Sequence, residues 1–158
     1  MRSMLKPNSL RSALINAVPA LRDTPSMLRL WVDKGSNIAT LASSLSFEKQ
    51  FSLNVAITGF RGDIDTLFVP VMAWLRDNQP DILSVEAGQK GGFSWTLLAN
   101  DDGTQDVTMV LKLTERTQVK EVNGTLIAET LPEPLPPAFV TRPKELYING
   151  ERVSRWQV

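Results

Sequence analysis

The chain contains no cysteine and no histidine among its 158 residues. Without cysteine it has no disulfide, no thiol nucleophile and no thiolate ligand for zinc. Without histidine it lacks the side chain that most often acts as a general base near neutral pH. Catalysis would have to rely on a carboxylate pair, a Ser–Lys pair or carboxylate-bound magnesium. We therefore predict that the protein is not an enzyme and that it binds no metal or cofactor.

An excess of charge of either sign is also missing, because 17 Lys and Arg residues balance 17 Asp and Glu residues. The protein therefore has no overall field that would hold it on DNA or on an anionic membrane, and any nucleic-acid contact must come from a local patch. No apolar run approaches the roughly 20 residues that cross a bilayer, and the amino end lacks the apolar core of a signal peptide. These absences predict a soluble, cytosolic product.

The length and the hydrophobic content of 42% are sufficient for a single domain with its own core. Apolar positions from Leu10 to Leu21 follow helical spacing, which predicts an amino-terminal helix that breaks near Pro19. Alternation then predicts a hairpin, with Leu28–Val32 as its first strand and Ile38–Leu41 as its second. The sequence Asp-Lys-Gly-Ser would form the turn between them.

The segment Phe47–Gly59 alternates most clearly and predicts a long strand with one wet face. The period changes from Asp63 onward and predicts an amphipathic helix that ends before Pro80. Because Pro70 lies too far inside for a first-turn proline, we expect a kink there or a regular start only at about Leu67.

Two further alternating runs are predicted as strands, one over Phe93–Ala99 and one from Val107 to about Val122. Asn123 and Gly124 then predict a tight turn into a third strand, Thr125–Thr130. These three strands would form a meander. The predicted fold class is α+β: a single domain with an antiparallel-rich mixed sheet and two helices packed on one face.

Proline changes the composition at Leu131, where LPEPLPP predicts an extended strap that can join neither a helix nor a sheet interior. Beyond it, ELYINGERV predicts a small hairpin that includes Tyr147, and Trp156 follows near the end. Isolated hairpins are marginal in water, so this arm must dock on its own domain or on a partner. We divide the chain into an α+β domain, residues 1–131, and a proline-rich strap and hairpin arm, residues 132–158.

The stretch TGFRGDIDTLF, residues 58–68, joins the clearest strand to a helix. Its Arg-Gly-Asp triplet would need an extracellular setting to act as an adhesion motif, and nothing in the sequence supports secretion. Asp63 is predicted to cap the helix and Asp65 to lie in its first turn, so these carboxylates, two positions apart, would not converge on one ligand. The turn itself does not require Phe60 or Arg61. We predict that both side chains protrude at this corner.

The remaining candidate sites are weak. Asp101 and Asp102 are predicted to be turn residues, and QKGG, residues 89–92, leads into a strand and lacks the spacing of a phosphate loop. The even-numbered positions of the longest strand form a polar stripe that includes Arg116 and Lys120. Such a stripe is typical either of a solvated sheet face or of a surface that meets nucleic-acid phosphates.

Most of the chain resembles a known family, the R-type tail completion proteins of temperate, contractile-tailed enterobacterial phages. The resemblance rests on sequence patterns from Met4 to Pro137: MLKPNSLRSAL, AVPALRD, LRLWVDKG, SLSFEKQFSLNVAITGFRGDID, PVMAWLRDNQP, LKLTER and the proline strap. It implies a structural protein of the virion, assembled in the host cytoplasm, that completes the tail at its head-proximal end and prepares it for head joining. The resemblance implies no catalytic residue.

By analogy with the tail terminators of other phages, we expect a ring, a homohexamer, that contacts the tail tube, the sheath and the neck proteins of the head, with DNA passing only transiently. In such a ring Phe60, Arg61, Asp63, Tyr147 and Trp156 are candidate subunit-interface residues. Arg116 and Lys120 are candidates to face the lumen and its DNA. The alternative functions are a small soluble nucleic-acid or protein-binding module, or a carboxylate-based hydrolase.

Overall fold

The computed structural model of the chain describes residues 4–39, 44–133 and 143–156, and these form α-helices, short 3₁₀ turns and β-strands. The helices are α1 (Leu5–Ala17), α2 (Pro19–Asp23), α3 (Asp65–Asn78) and α4 (Val85–Gln89). The strands are β1 (Leu28–Ala39), β2 (Phe47–Phe60), β3 (Phe93–Ala99), β4 (Gln105–Val122), β5 (Thr125–Leu131), β6 (Glu145–Ile148) and β7 (Glu151–Arg155). The predicted α+β class is confirmed. All strand pairs in these ranges are antiparallel, so the parallel component that we allowed for is not seen there.

The main sheet has the order β1–β2–β4–β3, with β5 also paired to β4. Strands β2 and β5 both pair with Arg116 and Thr117 of β4, which places them on opposite sides of β4. Strand β3 pairs with residues 105–111 of β4, along the side that β5 also uses. The predicted meander is therefore wrong in its arrangement. Strand β4 has 18 residues, long enough for β3 and β5 to lie end to end along one side while β2 occupies the other.

The hairpin predicted around Asp-Lys-Gly-Ser is also wrong. Leu30 on one flank pairs with Val55, and Ile38 on the other flank pairs with Glu48, so both flanks belong to one strand that lies along β2. The register shifts between Asp33 and Ser36, and Lys34 has a φ of 52°, which together describe a β-bulge. Because β2 has 14 residues, it pairs with both flanks, and the turn signal produces a bend in β1 instead of a reversal.

Helices α1 and α3 lie on one face of the sheet, which we call the core face. Odd-numbered side chains of β2 and β4 point into this core. The predicted break before Pro19 is confirmed, since α1 ends at Ala17 and α2 begins at Pro19. Helix α3 begins at Asp65 and continues through Pro70, so it starts before Leu67. The buried apolar side chains that α1, α3 and the sheet share include Leu10, Leu14, Leu53, Val55, Ile57, Leu67, Val71, Leu75, Val107, Met109, Leu111 and Leu113.

The opposite face of the main sheet, here the helix-free face, is formed by even-numbered residues of β2, β3 and β4, together with the odd-numbered residues of β1 before its bulge and the even-numbered ones after it. Ser52 and Asn54 at its centre are buried, whereas Lys112, Arg116 and Lys120 on β4 are exposed. The predicted polar stripe is thus present on this face. None of the helices in the described ranges is long and apolar enough to cross a membrane.

The predicted carboxyl-terminal hairpin is confirmed as β6 and β7, joined at Asn149 and Gly150. Asn149 and Gly150 have φ values of 52° and 81°, the left-handed conformations that a tight Asn-Gly turn uses. Residues 134–142, which include most of the predicted proline strap, lie outside the described residues.

Candidate assembly interface

The corner between β2 and α3 contains the first three candidate interface residues. The prediction that Phe60 protrudes is wrong: its side chain is 3% exposed and belongs to the hydrophobic core. The flanking Gly59 and Gly62 suggest an exposed loop at Phe60 and Arg61, but β2 continues through Phe60, which pairs with Gln105 and turns its ring inward. A side chain buried in this way contacts its own domain and is not available to a neighbouring subunit.

Arg61 and Asp63 are exposed at this corner, as predicted for Arg61. The Arg61 guanidinium donates a hydrogen bond to the backbone oxygen of Asp102, with 3.2 Å between Nη1 and that oxygen. Hydrogen bonds from the hydroxyl and amide of Thr104 lower the pKa of Asp102, and the charge of Arg61 acts in the same direction. The prediction that Asp63 caps α3 is wrong, because Ile64 occupies the cap position. The Asp63 carboxylate accepts instead from the amide of Asp65, the first residue of the helix, at 2.9 Å.

The same corner faces the carboxyl-terminal hairpin across a groove of about 390 Å³. Phe60, Arg61 and Asp63 line one wall, and Ile148 and Val153 of the hairpin contribute to the other. The structure therefore brings the predicted corner residues together with the predicted arm. Tyr147 is 58% exposed and is not among the residues that line the groove.

The hairpin itself docks on the helices of its own chain. The Ser154 hydroxyl donates to the backbone oxygen of Ala17 at the end of α1, and Arg22 donates to the backbone oxygen of Arg155 at 3.3 Å. Leu146 and Ser154 are buried there. Trp156 is half-buried and lines a cavity of about 230 Å³ together with Trp74 of α3. Of the two docking modes left open by the sequence, the structure shows docking on the own domain.

A second polar cluster was missed by the sequence analysis and lies where α1 begins. The Glu115 carboxylate accepts a hydrogen bond from the Lys6 backbone amide at 2.6 Å, and so supplies an acceptor to the first turn of α1. The Lys6 ammonium lies 2.6 Å from the Gln79 amide oxygen and 3.1 Å from a Glu133 oxygen. Lys49, opposite Glu115 in register, lies 3.8 Å from its other oxygen.

One signal in the sequence could have revealed this cluster. Val107 to Leu113 are apolar at every odd position, and Glu115 is the first charged residue to follow on the same face. Lys49 is likewise the only charge on the apolar face of β2. A positive and a negative charge that each interrupt the apolar face of a strand indicate a buried polar contact when the two positions pair with each other.

Neither of the predicted carboxylate pairs forms a convergent catalytic arrangement in the described ranges. Asp63 and Asp65 share a backbone contact at the helix entry, and Asp102 accepts from Thr104 within its own turn. No group of three or more carboxylate side chains there could hold a metal ion. The predicted carboxylate pairs therefore give the carboxylate-based hydrolase no support.

Comparison with known proteins gives the chain its family. A model of the P2 phage tail completion protein R (GpR) family matches residues 4–134. The tail completion protein R of Escherichia phage P2 is 57% identical over 153 residues, which cover 97% of this chain and 99% of that protein. The chain belongs to the P2 phage tail completion protein R family. No solved structure matches it.

Family membership gives the fold described above a biological setting. The chain is a phage tail completion protein, which makes it a component of the virion that contacts other tail components. The family is structural, and the alternative functions, a binding module or a hydrolase, are not favoured. The relevant surfaces are therefore those that can meet another protein: the sheet edges, the corner at Arg61 and the arm.

Proposed function

We propose that this protein forms a homohexameric ring that caps the head-proximal end of the contractile tail, stops its polymerisation and presents a surface for head joining. The observation that carries the proposal is the 57% identity with a tail completion protein, which extends over 97% of the chain. In this role the ring contacts the tail tube, the sheath and the neck proteins, and it has no enzymatic activity. A balanced charge supports it, since the protein then has no overall field that would hold the DNA as it passes through the lumen.

Deletion of this gene from its phage should leave heads and tails that accumulate separately, because the completed tail end is missing. Infectious titre should fall by orders of magnitude and return when the protein is supplied from a plasmid. Electron microscopy of the lysate would show the unjoined parts and any tails of irregular length. Normal infectious particles from a clean deletion would overturn the proposal.

The exposed positions on the helix-free face support a place for Arg116 and Lys120 at the lumen. In the same complementation assay, a variant with both residues changed to alanine should still enter particles but restore less titre. The phosphates of the passing DNA would lose their local contacts with the two basic side chains. Glu121→Ala, a change at an exposed residue on the same strand, is the control. Full titre from the double variant would remove both residues from the lumen.

We further propose that residues 1–131 fold as a unit and that the arm, residues 132–158, strengthens assembly. Exposed Tyr147 at the hairpin, Arg61 and Asp63 at the corner, and Trp156 beside α3 would contribute to the subunit interface. The groove shared by the corner and the hairpin supports the place of Arg61 and Asp63 in this group.

Truncation after Pro137 should leave a folded protein, because the core described above lies entirely before that point. Its far-ultraviolet circular dichroism should remain native-like, with a modest loss of stability because the buried contacts of Leu146 and the Ser154–Ala17 hydrogen bond are removed with the arm. Complementation of the deletion phage by the truncated chain should be weaker than by the full chain. Full complementation would show the arm to be dispensable for assembly, and an unfolded product would show that it belongs to the domain.

A further inference from the structure

Three strands of the main sheet have only one strand partner in the described ranges: β1 at one end of the path, and β3 and β5, which lie end to end along the far side of β4. Strand β3 exposes large apolar side chains: Trp95 is 49%, Leu97 42% and Leu98 63% exposed. Its sequence FSWTLLA contains no charge and no proline, the residues that usually protect an edge strand from pairing. An unprotected apolar edge of this kind is typical of a strand that pairs with another chain.

Backbone groups on these two edges point outward at known positions. The Lys112 amide donates to the Gly92 oxygen, and the Asn100 amide donates to the Thr104 oxygen. The backbone hydrogen bonds between β3 and β4 therefore join even-numbered residues. The amides and carbonyls of Trp95 and Leu97 therefore point away from β4, because backbone directions alternate along a strand. The registers of the β4–β2 and β2–β1 pairs extend this alternation across the sheet. The amides and carbonyls of Leu30 and Val32 therefore point away from β2, out of the free edge of β1. Arg11 reaches the Leu28 oxygen, at 3.3 Å, which agrees with this direction.

Strand direction decides how the two edges can meet. Three antiparallel pairs separate β1 from β3, so these strands run in opposite directions. All copies in a cyclic ring have the same sense around the axis. Strand β3 of one copy would therefore lie antiparallel to β1 of the next, which is the pairing used throughout this sheet.

We propose that the free edge of β3 pairs with the free edge of β1 in the next copy of this chain, so that the sheets join head to tail around the ring. This inference rests on the ring of the proposed function and names its subunit contact. The outward backbone groups of Trp95 and Leu97 meet those of Leu30 and Val32 in a ladder. Their side chains all lie on the core face, so the joined sheet continues one apolar layer from copy to copy.

The absence of native cysteine permits a direct test by disulfide formation. Thr96→Cys on β3 is combined in turn with Arg29→Cys, Trp31→Cys or Asp33→Cys on β1, all on the helix-free face. These three partners sample the register in steps of two residues. Within one chain the two strands are three strand spacings apart, roughly 14 Å, which exceeds the approximately 7 Å limit between the Cα atoms of a disulfide. Any disulfide between the two introduced cysteines must therefore join two copies.

Each variant is supplied to the deletion phage, tails are purified and oxidised, and the protein is separated on a non-reducing gel. At least one double variant should give a ladder of multimers that collapses on reduction, whereas each single-cysteine variant stays monomeric. Should a double variant fail to enter tails, Ser94→Cys replaces Thr96→Cys on the same face. The number of copies per tail is measured in parallel by quantitative mass spectrometry.

The other outcomes separate this contact from the ring itself. Several copies per tail without any ladder across the series would overturn the β3–β1 contact and leave the ring standing. Dimers from Thr96→Cys alone would show β3 paired with β3, and a disulfide to another tail protein is impossible to mistake because its mass differs. Either result would overturn the contact. A single copy per tail would overturn the ring and this inference together.

Discussion

Replacement of Phe60 by alanine should lower the free energy of unfolding by about 3 to 5 kcal/mol, the usual cost of removing a large buried aromatic side chain. Phe60 is 3% exposed and packs in the core that α1, α3 and the sheet share. Its ring also lies over Gly62, with 3.4 Å between ring atoms and the position that a side-chain carbon would occupy there. Urea unfolding of the purified protein, followed by tryptophan fluorescence, measures the change.

Arg61→Ala is the matched control for Phe60→Ala, because the two residues are adjacent and only one is buried. Loss of the exposed Arg61–Asp102 hydrogen bond should change the stability by no more than about 0.5 kcal/mol. The Arg61 variant should instead affect assembly, as measured by complementation. Wild-type stability of Phe60→Ala together with a loss of assembly would show that Phe60 protrudes and contacts a neighbouring subunit.

Replacement of Glu115 by alanine should cost about 3 kcal/mol, because it leaves a buried helix amide without an acceptor and removes one partner of a buried charged cluster. Glu115 is 3% exposed and accepts from the Lys6 amide at 2.6 Å. Lys49 would lose its ion-pair partner in the same step. Urea unfolding measures the loss, and circular dichroism reports on helix content.

Two further variants assign the cause of the Glu115 effect. Glu115→Gln retains an oxygen that can accept from the Lys6 amide, so it should lose clearly less stability than Glu115→Ala. Glu121→Ala changes an exposed glutamate of the same strand and should stay within about 0.5 kcal/mol of the wild type. An equal loss for the glutamine and alanine variants would show that charge, and not the hydrogen bond, is the important property of Glu115.

The sequence was informative wherever a local pattern determines a local structure. Asn123 and Gly124 form the predicted tight turn, with φ values of 51° and 77°. The alternation from Val107 to Leu113 predicted a strand with one buried face, and all four odd positions are buried. Such features follow from the two-residue period of a strand and from the few residues that tolerate left-handed backbone.

Features that depend on distant partners were not predictable from such patterns. A turn signal at Asp33–Ser36 becomes a bulge only because β2 is long enough to pair with both flanks. The sequence pattern of β3 or β5 indicates which side chains of that strand share a face. It does not indicate on which side of β4 the strand lies. At the candidate interface, the exposure of Arg61 was predicted correctly. The sequence around Phe60, with Gly59 before it and Gly62 two residues after it, does not indicate that the Phe60 ring turns into the core.

The contact between the Lys6 amide and the Glu115 carboxylate joins positions that are 109 residues apart in the sequence. Helix α1 is synthesised early, but the acceptor for its first turn arrives only with β4. Contacts of such large sequence separation form late and slow the folding of a domain. The first turn of α1 cannot gain this acceptor until β4 has been synthesised, so we expect the subunit to complete its folding late in synthesis or after it.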